Sequence, residues 1–251
     1  MIDLQTIVTW CDGELRTAEV TDYPGAVNGL QVANSGKVRK IAAAVDGTLR
    51  TAQMAVADGA SLLLVHHGFF WGQSHPWTGK RYELIKLLTE HDLAVYSSHL
   101  PLDVHPRYGN NSQLARAMGF KKLAPFFFEK GQHLGIRTEL SISRKALVEQ
   151  LAKAVGGAVR LVPGGPEKCR KIGIVTGGAG DSVKIAAAEG VDTFITGEGR
   201  HWTYALAEEL GINLLYAGHY ATETFGVKAL GAELSRRFKL PWTFLDHPTG
   251  L

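Results

Sequence analysis

The chain has 251 residues and an ordinary globular composition, with 45% hydrophobic residues, 20% charged residues and a formal net charge of +3. This mild charge does not by itself indicate a nucleic-acid-binding protein, and no stretch approaches the roughly 20 apolar residues of a membrane-spanning helix. The two cysteines, Cys11 and Cys169, lack the spacing of a thiolate metal site or a disulfide scaffold, so we expect a soluble, cytoplasmic protein with no membrane association.

Apolar periodicity in the first part of the chain predicts strands that alternate with helices. Helices are predicted over residues 4–15, 49–58 and 81–91, and from a cap at Asn111 or Ser112 to residue 118. Short buried strands are predicted over residues 41–45, 61–65 and 93–96. The strand over 61–65 is expected to break before His66 and His67, because neighbouring strand residues point to opposite faces and converge only in a loop.

The alternation resumes after a less regular middle section. Residues 125–131 are interpreted as a connection, and residues 163–166, Pro-Gly-Gly-Pro, as a loop. Strands are predicted over residues 134–140, 172–175, 193–196, 212–217 and 242–245. Helices are predicted from a cap at Ser143 to Gly156, over 181–189 and over 222–238. A further helix is predicted after the strand over 193–196 and ends at residue 210. This pattern indicates an α/β fold in which mixed or mostly parallel sheets are flanked by helices.

Motifs of the first half recur in the second half in the same order, which predicts an internal duplication. Residues 39–41, Arg-Lys-Ile, reappear as residues 170–172, and each copy opens a strand, a turn and a helix. The same offset places His67 opposite Glu198. The duplication predicts two related α/β halves, residues 1–125 and residues 126–251. The metal site is expected in the cleft between these halves. An alternative is that the final helix and strand pack on the first half.

A second pair of segments aligns at a shorter offset. Residues 93–99 match residues 213–219, and both segments end in a histidine. An acid follows four residues after each histidine, Asp103 in the first copy and Glu223 in the second. Polar residues from equivalent strand ends are therefore expected to face one another.

The polar residues at the predicted strand ends form one candidate set: His66, His67, His99, Asp103, His105, Glu198, His219 and Glu223. Imidazole and carboxylate together suit divalent zinc, iron, manganese, cobalt or nickel. So many donors exceed the needs of one tetrahedral ion, which favours two ions about 3.5–4 Å apart, bridged by a carboxylate and a water or hydroxide. The alternative is histidines that only hydrogen-bond to backbone, as we expect for His75, His91, His133 and His247.

Longer motifs around these residues resemble a known family. They are residues 28–32, Val65–Gly68, His99–His105 with 109–111, 196–198 and 218–223. In sequence and order they look like the GTP cyclohydrolase I type 2 homologues, a group of YbgI-like and NIF-three-like proteins. The resemblance runs from residue 28 to the end and therefore covers nearly the whole chain.

The resemblance implies a dinuclear metal centre in a cleft between two α/β halves and a toroidal homohexamer. The metal ligands that it implies are His66, His67, Asp103, His219 and Glu223. His66 and His67 are each expected to bind a different ion of the pair. His99 and Glu198 are expected close by, as catalytic groups that transfer protons or support the ligands.

Two classes of function remain open at this point. The first is a metal-dependent hydrolase that uses a bridging hydroxide on a small, nucleotide-like substrate, as the family name implies for GTP. The second is a ring-shaped scaffold for single-stranded nucleic acid or a protein, with structural metals and no turnover. Its basic surface would draw on Arg107, Lys121, Lys122, Lys168, Arg170 and Lys171.

Two motifs near the candidate set also have alternative interpretations. The glycine-rich segment over residues 176–181 is either a weak phosphate cradle or a tight strand-to-helix turn. The aromatic segment Phe69-Phe70-Trp71 either stacks on a base or only forms a wall of the cleft. The sequence contains no P-loop motif that would settle the question in favour of a nucleotide.

Overall fold

The computed structural model describes residues 1–72 and 76–250, which divide into two compact units. The first unit comprises residues 1–102 and 226–247. The second unit comprises residues 103–225 and the chain from residue 248 onwards. Residues 226–247 belong to the first unit, as the sequence analysis allowed for the final helix and strand, and the boundary after residue 125 stays a prediction. Within the described ranges, no helix has the length and apolar composition needed to cross a membrane.

Strands and helices alternate along most of the chain. The strands are β1 (Ile2–Asp3), β2 (Gly29–Val32), β3 (Lys37–Val38), β4 (Ile41–Asp46), β5 (Leu62–His67), β6 (Ala94–Ser97), β7 (Ala124–Glu129), β8 (Gln132–Ser143), β9 (Arg160–Pro163), β10 (Lys168–Ile174), β11 (Thr193–Thr196), β12 (Asn213–Tyr216) and β13 (Trp242–Phe244). The helices are α1 (Leu4–Glu14), α2 (Leu49–Ala57), α3 (Lys80–Glu90), α4 (Leu100–Asp103), α5 (Asn110–Ala117), α6 (Arg144–Val155), α7 (Val183–Ala188), α8 (Thr203–Leu210) and α9 (His219–Phe238), with a 3₁₀ turn at Ala179–Ser182. This arrangement confirms the predicted α/β class.

A five-stranded sheet in the order β13-β4-β5-β6-β2 forms the core of the first unit. The first four strands are parallel, and β2 pairs with β6 in the antiparallel direction. Strands β4 and β5 are almost entirely buried, as their continuous Ile, Ala, Leu and Val runs require for parallel strands covered on both faces. Helix α2 starts in a capping box, in which Thr48 and Thr51 each satisfy the backbone N–H of the other.

A six-stranded sheet in the order β7-β8-β10-β11-β12-β9 forms the core of the second unit. Strands β10, β11 and β12 are parallel, and antiparallel pairs extend the sheet on both sides. Helix α6 begins at the predicted cap, where the Ser143 side chain accepts from the Ala146 N–H, and it ends at Gly156 in the left-handed conformation. Both predicted ends of this helix are confirmed.

Both sheets contain three parallel strands followed by an antiparallel edge strand. In the first unit this run is β4-β5-β6-β2, and in the second it is β10-β11-β12-β9. The shared order is what a duplicated βα pattern would produce. The duplication itself stays a prediction.

Two local predictions in the middle of the chain were wrong. Residues 125–131 are not a plain connection, because most of them belong to β7, which forms a hairpin with β8. Phe127 lies in β7 with a φ of +65°, so buried and exposed side chains do not alternate regularly along this strand. Helix α5 is preceded by Gly109 and has no side-chain cap, so Asn111 and Ser112 do not serve as the predicted cap.

Candidate metal centre

Three histidines lie together at the ends of two neighbouring parallel strands in the first unit. His66 and His67 are the last residues of β5, and His99 follows β6. Their ring centroids are 4.7 Å apart for His66 and His67, 5.0 Å for His66 and His99, and 5.6 Å for His67 and His99. One ring nitrogen of each lies within 4.8 Å of the other two, close enough to share an ion. These three residues are called the imidazole group below.

The position of the histidine pair corrects the expectation that the strand breaks before it. Strand β5 continues through His67, which still pairs with Asp46 of β4, although the pairing of β5 with β6 has ended at Val65. The strand is therefore held on one side only at its last two residues. This one-sided end allows the two rings to approach one another without a loop.

Each ring of the imidazole group is fixed through its Nδ1 atom. Every Nδ1 lies 2.8 Å from an oxygen atom, in the pairs His66 with the Ser98 carbonyl, His67 with Asp46 Oδ1 and His99 with Asp22 Oδ1. Carbonyl and carboxylate oxygens only accept, so Nδ1 carries the proton in each ring. The Nε2 atom of a neutral ring then carries the lone pair, the arrangement in which histidine binds a metal.

Asp22 is itself firmly held beside His99. Its Oδ2 accepts from the Asn28 side chain at 2.8 Å and from the Leu100 N–H at 3.1 Å. Burial opposes the charged form of Asp22. The hydrogen bond and the charge of His99, together with hydrogen bonds from Asn28 and Tyr23, nevertheless lower the pKa of Asp22 to about 2. Asp22 is therefore a carboxylate that orients the His99 ring.

Asp22 and Asp46 were not among the residues predicted from the sequence. Asp22 belongs to an Asp-Tyr-Pro-Gly turn and Asp46 to an Asp-Gly-Thr strand end, where an aspartate is ordinary for turn geometry alone. Asp22 is 77 residues from His99 in the sequence, so no local spacing connects them. The only available signal was that Asp46 ends a buried strand next to the strand of the histidine pair.

One histidine lies among three carboxylates in the second unit. His219 begins α9, Glu223 follows one turn later, Glu198 follows β11 and Asp103 ends α4. His219 Nδ1 lies 2.8 Å from Glu198 Oε1, and its Nε2 lies 3.2 Å from Glu223 Oε2. A carboxylate oxygen of Asp103 lies within 4.8 Å of one of Glu223. These four residues are called the carboxylate group below.

The carboxylate group determines the protonation of its histidine. Burial alone would lower the pKa of His219, because it disfavours the protonated ring. Hydrogen bonds and charges from Glu223 and Glu198 outweigh this effect and raise the pKa of His219 to about 9. The metal-free ring therefore donates to both acids at neutral pH. A metal ion at Nε2 would take the place of that proton, while the Nδ1–H bond to Glu198 would remain.

Two asparagines support Asp103 from the start of α5. The Asn110 side chain donates to Asp103 Oδ1 at 2.8 Å. The Asn111 side chain donates to the backbone carbonyls of Asp103 and Leu134, and its Oδ1 accepts from the Thr176 N–H. Asn111 therefore connects α4, β8 and the loop after β10, which explains why it does not cap the helix.

The glycine-rich segment over residues 176–181 is a tight turn rather than a phosphate cradle. Its amides are used inside the protein: Gly177 donates to Thr222 Oγ1, Ala179 to Thr196 Oγ1 and Gly180 to the Glu198 carbonyl. Gly177 has a φ of +72°, and a Cβ there would collide with the Glu223 carboxylate. The glycines therefore allow the backbone to pass close behind the carboxylate group.

The remaining histidines lie outside the two groups. His105 Nδ1 accepts from the N–H groups of Arg107 and Tyr108, and its ring stacks on Tyr108, so it organises the turn before α5. His91, His133 and His247 are exposed. His75 lies outside the described residues.

The donors of the two groups fit borderline divalent metals, because they combine oriented imidazoles with carboxylates and contain no thiolate. Together with the strand-end location, they define an α/β protein with a candidate metal centre. The chain belongs to the Duf34/NIF3 (NGG1p interacting factor 3) family, whose model matches residues 5–249. The family predicted from the sequence motifs is thereby confirmed.

Curated relatives and solved structures match this chain over nearly its whole length. A "GTP cyclohydrolase 1 type 2 homolog" of Deinococcus radiodurans is 39% identical and covers 98% of this chain and 93% of its own. One of Halobacterium salinarum is also 39% identical, with 100% of both chains covered. A crystal structure from Thermus thermophilus is 37% identical with a TM-score of 0.91, and the protein ybgI, described as of unknown function, is 33% identical with a TM-score of 0.92. Each covers 100% of both chains.

Proposed function

We propose that this protein binds two divalent metal ions and acts as a metal-dependent hydrolase on a small substrate. The proposed ligands are His66, His67, Asp103, His219 and Glu223. The observation that carries the proposal is that every imidazole of the two groups has its Nδ1 atom 2.8 Å from an oxygen acceptor. All four rings direct Nε2 away from their anchors, as metal binding requires of His66, His67 and His219 and as proton transfer requires of His99.

Bound divalent ions would supply a water of lowered pKa, so that a nucleophile is available near neutral pH. The chain's own residues would then manage protons and orientation. Asp22 holds the His99 ring by Nδ1, which leaves Nε2 to accept or return a proton at the substrate. Glu198 accepts from His219 Nδ1 and so fixes the direction of the His219 ring. We therefore assign proton transfer to His99 and orientation of His219 to Glu198.

The names of the curated relatives support a nucleotide-like substrate, since those of Deinococcus radiodurans and Halobacterium salinarum are called GTP cyclohydrolase 1 type 2 homologues. Zinc, iron, manganese, cobalt and nickel all suit the donors. The toroidal homohexamer stays a prediction, and so does the scaffold function without turnover. Salt-dependent binding of single-stranded nucleic acid with a steep log–log slope would favour the scaffold.

The test combines elemental analysis with a hydrolysis screen on the full chain. Native protein is expected to contain about two divalent ions per chain and to hydrolyse at least one member of a panel of nucleotides and phosphoesters. The double variant His66→Ala/Glu223→Ala is expected to lose metal and turnover together. A matched control, His201→Ala/Glu208→Ala, removes one exposed histidine and one exposed glutamate and should retain both.

Unchanged metal content in the double variant would show that the ligand assignment is wrong. Metal-loaded native protein without turnover on any panel member would contradict the hydrolase and favour the scaffold. Circular dichroism of each variant separates loss of the ion from loss of the fold.

A further inference from the structure

A cavity of about 540 Å³ opens beside the imidazole group, within the first unit. Its size lies in the range of small-molecule sites, which is roughly 300–1,000 Å³. Gly68, the residue after His67, lines it, and so does Gly47, whose N–H donates to the His67 carbonyl. The cavity is therefore continuous with the strand end that carries the histidine pair.

Aromatic rings dominate the wall of this cavity. Phe69, Phe70, Trp71 and Trp77 all line it. Trp71 and Trp77 are 45% and 46% exposed, so part of each indole is open to solvent. Phe70 and Trp77 pack edge to face, with ring centroids 5.8 Å apart. Exposed, supported ring faces of this kind are suited to stack on a planar ligand.

Backbone contacts hold the aromatic segment in place. The Phe69 N–H donates to Gln31 Oε1 at 2.8 Å, and the Gly72 N–H donates to the Gly25 carbonyl at 3.1 Å. Gly25 has a φ of +87°, and a Cβ there would collide with the Gly72 backbone. The segment is therefore tied at one end to Gln31 in β2 and at the other to Gly25 in the loop before β2, and the wall is a built feature of the unit.

The described residues that line the cavity carry positive charge only. Among the described residues that line it, Arg81 is the charged side chain and no acid is present. Thr48 also lines it, at the start of α2, where the helix dipole favours a negative group. A guanidinium binds phosphate or carboxylate through paired hydrogen bonds, so the charge favours an anionic ligand.

Trp71 connects this cavity with the imidazole group. Its ring lies perpendicular to His99, with centroids 4.8 Å apart, and perpendicular to His67, with centroids 6.3 Å apart. A ring stacked in the cavity would therefore lie next to the groups to which we assign metal binding and proton transfer.

We propose that this cavity binds a planar aromatic ring that carries an anionic group, and that it is the substrate subsite of the hydrolase proposed above, on which this inference rests. The aromatic wall holds the ring, and Arg81 with the start of α2 holds the anion. Neither Arg81 nor Trp77 belongs to the proposed metal ligands, so the subsite is testable apart from the metal centre.

The test is calorimetric titration of the metal-loaded full chain with four probes. They are adenosine 5′-monophosphate, adenosine, ribose 5-phosphate and nicotinate, which separate ring from anion and phosphate from carboxylate. Saturable binding of at least one of the two aromatic anions is expected, with adenosine and ribose 5-phosphate each about tenfold weaker than adenosine 5′-monophosphate if that anion is phosphate. Arg81→Ala should weaken the aromatic anion about tenfold and leave adenosine within about twofold. Trp77→Ala should weaken the aromatic anion and adenosine alike, about tenfold.

Matched controls lie outside the cavity lining. Lys86→Ala removes an exposed cation from the same helix as Arg81, and Trp202→Ala removes a tryptophan that is also 46% exposed. Both should bind the probes as the native chain does, and all four variants should retain native metal content. Absence of saturable binding by both aromatic anions, or equal affinity in native chain and Arg81→Ala, would overturn the proposal.

Failure of the subsite and failure of the metal centre give different results. If His66→Ala/Glu223→Ala has native metal content while Arg81→Ala loses affinity, the metal assignment falls and the cavity stands. If native protein holds metal and turns over substrate while Arg81→Ala and Trp77→Ala bind and react normally, only the subsite falls.

Discussion

The imidazole group of the first unit and the carboxylate group of the second unit contain different donors. The first has His67 at the end of its central parallel strand, where the second has Glu198 after the corresponding strand. His67 presents a ring anchored by Asp46, whereas Glu198 serves as the anchor of His219. The duplication predicted from the sequence sets His67 opposite Glu198, and the two residues have different partners: His67 is a candidate ligand, whereas Glu198 supports a neighbouring candidate ligand.

The two groups also differ in charge. The imidazole group offers three rings anchored through Nδ1, and imidazole nitrogens would bring no negative charge to a bound ion. The carboxylate group brings Asp103 and Glu223 directly into the donor set, and these acids can compensate the charge of divalent ions. Each group supplies what the other lacks, and this is why we propose that both contribute to one dinuclear centre.

The largest expected effect comes from removing single histidines of the pair. If His66 and His67 bind different ions, then His66→Ala and His67→Ala should each reduce the metal content from about two ions per chain to about one. The double variant His66→Ala/His67→Ala should approach zero. Elemental analysis after gel filtration measures this, with His91→Ala as the exposed control. A double variant that keeps about one ion per chain would show that both histidines bind the same ion, and complete loss in either single variant would show that the two ions bind cooperatively.

The next effect concerns His99, which geometry places with two proposed ligands. If it transfers protons, His99→Ala should retain native metal content while kcat falls about 10²–10⁴-fold. If it is a ligand, the metal content should fall with activity. Metal analysis and kcat on the same preparation decide between these roles, and native values of both would remove His99 from the mechanism.

A smaller effect is expected at the anchor of the second unit. Glu198→Gln keeps the shape but removes one charge beside His219, so metal affinity or activity should fall about 10–100-fold. In the metal-free protein the pKa of His219 should move down from about 9, because Glu198 is one of the groups that raise it. NMR titration of the ring measures the shift. A pKa that stays near 9 would show that Glu223 alone sustains it.

The smallest effect concerns Asp22 and acid stability. Its pKa is lowered from 3.8 to about 2 in the folded protein, so its stabilising contribution is present above pH 3.8 and is lost as the pH falls towards 2. That contribution is at most about 2–3 kcal/mol. Asp22→Asn should flatten the unfolding free energy over this window in urea titrations. The exposed control Glu208→Gln should keep the native slope, and an Asp22→Asn slope equal to it would contradict the coupling.

The sequence predicted the parts of the fold that depend on local apolar runs. Strands β4 and β5 and helices α2, α3 and α6 were placed to within a few residues, because buried runs and caps are local signals. Strand β7 was missed, since the left-handed Phe127 breaks its alternation at the edge of the sheet. The predicted end of β5 was also wrong. Its last two residues pair with β4 and no longer with β6, and such pairing depends on the sheet and not on the strand alone.

For the site, motifs and resemblance located the histidines and acids but not their anchors. His99 and Asp22 are joined only by the folded chain, and Asp46 becomes meaningful only once β4 and β5 are neighbours. The function of Asn111 was likewise hidden, because its partners lie on three separate elements. Anchoring contacts of this kind depend on tertiary structure, which single-sequence patterns do not encode.

The most direct test of the proposed dinuclear centre is anomalous diffraction from crystals of the metal-loaded protein, measured at the absorption edge of the bound element. Two peaks per chain are expected, with the Nε2 atoms of His66, His67 and His219 at roughly 2.0–2.1 Å from them if the metal is zinc. The Nδ1 atoms should keep their contacts to Ser98, Asp46 and Glu198. A peak bound to any of these Nδ1 atoms, or no peak at these histidines, would contradict it.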